Sequence, residues 1–262
     1  MNPGTYPIYL VSLDQDSEKR ETLKNRFPRY SATMTRINAV DGRKLPAKEF
    51  FDHIATPLAL GHRLMLPGEV GCSLSHVHAL ESFLSSGENY ALILEDDVIG
   101  GDDDIDAIMT LVSALPPESL LICGGQQGMP ARKYVFGKTA GAEGLFRLAR
   151  YSNNHIFRTC CYVVTPVSAK QILDMQSESL TLADAWGTFF RGSGTNIYYT
   201  DKLAHPKELS GSHLEQERSR LGYESMFGIR KIIALAQRRL SRIARKLGAL
   251  LCLLQGYRRV VK

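Results

Sequence analysis

The run Tyr90-Ala91-Leu92-Ile93-Leu94 is unbroken apolar sequence of strand length, and it stops at three consecutive acids, Glu95, Asp96 and Asp97. Such a segment has no polar face to offer water. It therefore predicts a strand buried in the middle of a layered domain, with the acids emerging at its carboxyl end. The surrounding sequence agrees. Ile8 to Leu13 reads as a second buried strand, followed by a polar helix that Asp16 or Ser17 caps and that runs to Arg26 and Phe27. Ile37 to Gly42 reads as a short strand ending at an Asp-Gly turn, and Pro46 and Pro57 mark a loop. Pro67 and Gly68 open a helix whose Val70, Leu74, Val77 and Leu84 keep a helical period and which closes near Gly87. Beyond the acids, Ile105 to Leu115 reads as helix, Leu120 to Cys123 as strand, and Thr159 to Thr165 as strand. Pro166 starts a helix through Met175, Leu182 to Phe190 is a short helix, and Ile197 to Thr200 is a last short strand. Strands alternating with helices predict an α/β domain with a mainly parallel central sheet.

The formal net charge of +5 averages two unlike parts. Residues 225–262 hold ten Lys and Arg and no acid, which leaves 22 basic and 27 acidic residues in the first 224. We expect one main domain over 1–224 and a basic tail over 225–262. At 100° per residue, Ile229, Ile232, Ile233, Leu240, Ile243, Leu247, Leu250, Leu251 and Leu254 fall within one arc, and the Lys and Arg side chains occupy the rest. That is the pattern of a helix lying in the plane of an anionic membrane surface. The alternative is a helix docked on the main domain with a solvated basic face. No run approaches the roughly twenty apolar residues of a crossing helix. Basic and aromatic residues are not interleaved in the tail, so no nucleic-acid partner is expected. The N-terminus has no signal-peptide pattern, which predicts a cytoplasmic protein peripheral to the inner face of the membrane. The five cysteines include no C-x-x-C pair and are expected to be reduced, buried thiols.

Several carboxylates packed at a strand end repel one another unless a cation compensates, and a hard divalent ion held by oxygen is the natural compensator. The plain alternative is an acidic turn. Four ordered motifs favour the ion. Ile8-Tyr9-Leu10-Val11-Ser12-Leu13-Asp14 with Arg20, Ala39-Val40-Asp41-Gly42, Pro67-Gly68-Glu69-Val70-Gly71-Cys72-Ser73-Leu74-Ser75-His76, and Ala91-Leu92-Ile93-Leu94-Glu95-Asp96-Asp97-Val98 resemble glycosyltransferase family 25. That family includes lipooligosaccharide galactosyltransferases of Gram-negative bacteria. A weaker echo spans Gly211 to Arg218.

The resemblance implies a GT-A type fold with a Rossmann-like nucleotide-sugar half and an inverting transfer dependent on Mn²⁺ or Mg²⁺. The implied donor is a UDP-hexose, most simply UDP-galactose, and the implied acceptor is a lipid-linked glycan or lipooligosaccharide. A glucosyl donor, a protein acceptor, or an inert membrane- or nucleic-acid-binding module are the alternatives. Glu95, Asp96 and Asp97 sit where such folds place a DxD-type motif, so Asp97 and Asp96 are candidate metal ligands and Glu95 and Asp96 candidate donor contacts. Ser12, Leu13, Asp14, Arg20 and Asp41 are placed to meet the nucleotide, although Arg20 would serve equally as a helix-surface residue. His205 or His213 would complete the metal shell, with His205 preferred because it follows the last strand more closely. Asp184 is the candidate general base, with helix capping as its alternative role. Trp186 is either an acceptor-stacking ring or core. His76 and His78 lie on different faces of one helix and are read as packing or donor-loop support. Gly124-Gly125 allows a close backbone approach at a strand end, and Asp102 to Asp104 are expected to serve a helix N-terminus rather than a metal.

Overall fold

The computed structural model describes residues 6–206 and 229–261, with residues 229–239 as backbone alone. The elements in chain order are β1 (Ile8–Ser12), α1 (Ser17–Arg26), β2 (Thr35–Asn38), α2 (Ala47–Ala59), α3 (Pro67–Ser86), β3 (Ala91–Glu95), α4 (Asp102–Val112) and β4 (Ser119–Gly124). There follow β5 (Phe136–Ala140), β6 (Ala142–Leu148), β7 (Cys161–Val164), α5 (Pro166–Glu178), α6 (Trp186–Phe189), β8 (Asn196–Leu203), a long helix here called α7 (Ile229–Leu254), and β9 (Arg258–Arg259).

All nine strands form one sheet in the order β2-β1-β3-β7-β4-β8-β6-β5-β9. Successive residues of β1 and β3 pack on opposite faces. Tyr9, Val11 and Ile93 join one core with Phe83 of α3 and Ile172 of α5, while Ile8, Leu10, Leu92 and Leu94 join the other with Leu23 of α1 and Ile108 of α4. Burial on both faces is what the unbroken apolar runs require.

The α/β architecture is as expected, but the sheet is not mainly parallel. Three pairings are parallel (β1 with β2, β1 with β3, β4 with β8). Five are antiparallel, including both sides of β7. A parallel pairing needs a crossover, usually helical. Between β4 and β7 the chain has instead the β5–β6 hairpin and short 3₁₀ turns at Pro130–Tyr134 and Arg150–Asn154, so β7 enters between β3 and β4 in the opposite sense. The loop expected around Pro46 and Pro57 is α2. Pro46 stands at its N-cap and Pro57 in its last turn, where little helix remains to be broken.

The division after residue 224 also needs correction. Past α7 the chain returns to the sheet as β9, which pairs with β5, and Val260 and Val261 are buried in the main core. Only the helix stands apart. It touches the body through the carbonyl of Arg245, which accepts from the Tyr151 hydroxyl at 2.7 Å, through Gly248, and through Cys252, buried with Phe136 and Ala149. A Cβ on Gly248 would lie 2.3 Å from the Tyr151 ring. Positions 245, 248 and 252 make one helix face. Leu240, Ile243, Leu247, Leu250, Leu251 and Leu254 lie on the opposite face and are 51–75% exposed. Among the described residues, no helix is long and apolar enough to cross a membrane.

Candidate functional site

Strands β1, β2, β3, β4 and β8 run in one direction, so their carboxyl ends share one edge of the sheet, and β7 begins there. The three acids at the end of β3 meet different neighbours. Glu95 faces α3, where its Oε1 lies 3.2 Å from His76 Nε2 and also accepts from the Thr159 hydroxyl. Burial pushes its pKa up, but the hydrogen bond and charge of His76, with Thr159, outweigh that and leave it lowered. His76 Nδ1 in turn lies 2.8 Å from the Tyr162 hydroxyl. Cys72, one turn earlier on α3, brings its sulfur within 4.8 Å of the ligand atoms of His76 and Glu95. Burial, reinforced by Glu95 and Asp184, raises the Cys72 pKa well above the ordinary range.

Asp96 is 8% exposed and faces α1. Its Oδ2 accepts from Ser12 Oγ at 2.7 Å, and Oδ1 is 3.7 Å from Lys19 Nζ, which also pairs with Asp16 at 2.7 Å. Burial pushes the Asp96 pKa up to about 6 against the opposing pull of Ser12 and Lys19. Asp97 faces the end of β8. An antiparallel bridge between Ile99 and Ala204, two backbone bonds of 2.8 Å each, brings His205 Nε2 to 3.2 Å from Asp97 Oδ2. Burial lowers the pKa of His205, but the hydrogen bond and charge of Asp97 outweigh it and the net shift is upward. The other oxygen, Asp97 Oδ1, is buried and has no hydrogen-bond partner among the described residues.

Ser12, Glu95, Asp96, Asp97 and His205 are thus brought together. Asp184 joins them through Arg158, the sole non-glycine residue with positive φ (69°) among the described residues. Asp184 Oδ2 accepts from Arg158 N at 2.9 Å, and Trp186 Nε1 donates to Arg158 O at 3.3 Å. Helix α6 starts only at Trp186 with Ala185 at its N-cap, so this Asp184 oxygen holds the Arg158 amide rather than capping that helix. Trp186 is core, 1% exposed. The Arg158 guanidinium donates to the carbonyls of Gly125 and Gln127 at 2.6 and 2.9 Å, and its charge reaches His205. Gln127 Oε1 accepts from His205 N at 3.2 Å and closes the ring of contacts.

Other predicted residues have local tasks. Arg20 donates to Ser12 Oγ at 3.0 Å, to the Leu13 carbonyl, and to the Asp14 carbonyl at 3.0 Å, so it shapes the loop after β1. The Asp14 carboxylate turns to Arg36 at 2.6 Å, whose hydrogen bond lowers its pKa. Asp41 is gripped by Arg43 through Nε at 2.7 Å and Nη2 at 2.8 Å, and that hydrogen bonding lowers its pKa. Its neighbour Gly42 sits where a Cβ would fall 1.7 Å from the Pro67 carbonyl oxygen, so the second and third motifs cross at backbone contact. Gly124 likewise meets the protein itself, since its Cβ would lie 1.7 Å from the Leu203 carbonyl oxygen. Asp102 to Asp104 open α4 as expected, and Asp104 Oδ2 accepts from Gly101 N at 2.9 Å. His213 lies outside the described residues. Lys19, Thr159 and Arg158 were not singled out from the sequence. Lys19 stands one turn past the loop after β1, but the other two carry no local signal, because their roles depend on β7 entering antiparallel.

The family profile described as "Glycosyltransferase family 25 (LPS biosynthesis protein)" matches residues 5–185. Among curated proteins, a "Glycosyltransferase 25 family member" of Aedes aegypti is 32% identical over 101 residues, 36% of this chain and 16% of the mosquito protein. A Rattus norvegicus protein named "Probable inactive glycosyltransferase 25 family member 3" is 25% identical over 183 residues, 66% of this chain and 30% of its own length. The chain therefore spans only a minor part of these relatives. Among solved structures, the mannose-1-phosphate geranyltransferase of Thermus thermophilus aligns over 77% of this chain and 74% of its own with a TM-score of 0.41 and 12% identity, a likeness too loose to carry an argument.

Proposed function

The chain belongs to glycosyltransferase family 25, and from that premise we propose that it moves a hexose, galactose from UDP-galactose, with inversion onto a lipooligosaccharide or related lipid-linked glycan. The observation that carries an active reading, rather than the inert one in the rat relative's name, is Asp97. One of its oxygens is buried and unpartnered while the other meets a histidine. A buried carboxylate oxygen left bare is costly unless something outside the chain satisfies it. The donor set fits a divalent ion, since carboxylate and imidazole both ligate Mn²⁺, and Asp97 and His205 would hold it with Asp96 beside them. Such an ion supplies charge neutralisation to the leaving diphosphate.

The remaining work falls to this chain's side chains. Lys19 and Arg158 place positive charge on either side of the acids. Glu95, held by His76 and Thr159, is a fixed acceptor for a donor hydroxyl. In a single displacement the acceptor oxygen bonds to the anomeric carbon as the bond to the diphosphate breaks, and the acceptor proton passes to Asp184. The exposed aliphatic face of α7 supports attachment to the inner face of an anionic membrane, where a lipid-linked acceptor would be presented. The test is release of UDP from UDP-galactose by the full chain with Mn²⁺, stimulated by acceptor and stopped by EDTA. Failure to release nucleoside diphosphate from any hexose nucleotide would establish the inert reading instead.

A further inference from the structure

Three described cations of α7 line a concavity between the helix and the body. Arg245 lies on the face turned to the body, Arg242 borders that face, and Lys246 borders the leucine face between Ile243 and Leu250. The three meet Lys133, Tyr134 and Phe157 around a cavity of about 480 Å³. Among the described residues, none of the four cations has a carboxylate within ion-pair distance and no acid lines the cavity. Lys133 Nζ and the Arg245 guanidinium both lie over the Tyr134 ring, at 5.4 and 5.6 Å from its centroid, and Arg245 Nε is tethered to the Ser241 carbonyl at 3.2 Å. Four like charges around one concavity repel one another and create a potential that an anion relieves.

The cavity also adjoins the chemistry. Phe157 N and O are both held by the Gln126 side chain, at 3.1 and 2.5 Å, and the next residue is Arg158, whose amide Asp184 holds.

We propose that this cavity is an acceptor subsite for a phosphate carried on a saccharide, with Lys133, Arg242, Arg245 and Lys246 on the phosphate. The volume suits a ligand of sugar phosphate size. A phospholipid headgroup fits the geometry less well, because Arg245, Lys133 and Tyr134 meet on the side of α7 opposite most of its exposed leucines. The inference rests on the proposed transferase only for calling the ligand an acceptor.

The test uses the full chain with UDP saturating the donor site, and compares glucose 6-phosphate with glucose by calorimetry. Arg242→Gln with Lys246→Gln alters two exposed side chains and should leave the melting temperature unchanged. We expect glucose 6-phosphate to bind at least about tenfold more tightly than glucose, and the double variant to lose about tenfold or more of that affinity, the scale of charge-assisted hydrogen bonds. UDP release without acceptor should be unchanged. Equal affinity for the two sugars, or a variant that binds glucose 6-phosphate like the parent, overturns the subsite. So does a variant that loses binding to phosphatidylglycerol vesicles while keeping its affinity for glucose 6-phosphate. If the expected binding pattern holds while no nucleoside diphosphate is released from any donor, the subsite stands and the transferase reading falls.

Discussion

The carboxylate edge and helix α7 depart from ordinary burial in opposite directions. At the edge, Glu95 and Asp96 are drawn from water, and named neighbours oppose each cost, His76 and Thr159 outweighing it at Glu95, Ser12 and Lys19 only reducing it at Asp96. Along the described part of α7, seven aliphatic side chains remain in water. The edge is nearly self-sufficient, with one carboxylate oxygen bare. The helix is incomplete along a whole face. On the proposed reading, the contrast is between a region that awaits a single ion and one that awaits an apolar phase.

The comparison breaks first at Asp97. Asp97→Ala should reduce transfer by roughly a thousandfold, the several kcal/mol that a bound ion supplies to a developing charge, with the melting temperature nearly unchanged. Transfer that persists in this variant and still stops with EDTA would move the ion elsewhere. At Asp184 the informative change is to Asn, which keeps an oxygen for the Arg158 amide. Turnover should fall about a hundredfold while donor affinity holds, and turnover near the parent rate would leave Asp184 only its bracing role.

Asp96 sharpens the edge's side of the contrast. Because burial raises its pKa in the folded protein, the folded state binds this proton more tightly than the unfolded chain. Stability is therefore fully present below about pH 4 and is lost as pH rises through about 6. Asp96→Asn should raise the unfolding free energy of metal-free protein at pH 8 by at most about 3 kcal/mol, with the gain vanishing near pH 4. A gain independent of pH would show that ionisation is not its cause.

The smallest effect belongs to the helix. Leu247→Glu with Leu251→Glu should weaken binding to anionic vesicles about tenfold or more and leave the melting temperature within a degree or two. Loss of folding instead would show that the leucines support the body.

The parts of the fold legible in the sequence were those set by local signals. The apolar runs of β1 and β3 gave both strands within a residue or so, and Pro67 with Gly87 bounded α3 closely. Strand direction was not legible, because alternation of apolar residues is the same in either sense; the clue was the lack of a helical pattern between β4 and β7. The β5–β6 hairpin escaped notice because its outward residues, such as Lys138, Thr139 and Glu143, interrupt any apolar run. In the site, the acids announced themselves by clustering, and His205 by following the last strand. The small residues around Asp41 answer to the backbone crossing of Gly42 and Gly71. Arg158 was invisible, because only the assembled loop shows its left-handed backbone.

The return of the chain to β9 has a mechanical consequence. Gln255, Gly256 and Tyr257 leave α7 with each amide bonded back to a helix carbonyl, and Val260 N bonds to Val135 O as β9 joins β5. That joint has no slack. Drag on a helix seated in a bilayer would load the β9–β5 bonds in shear and be borne by the sheet itself. On the proposed membrane reading, the carboxylate edge would then ride at an attitude set by this joint, as on a bracket and not a leash.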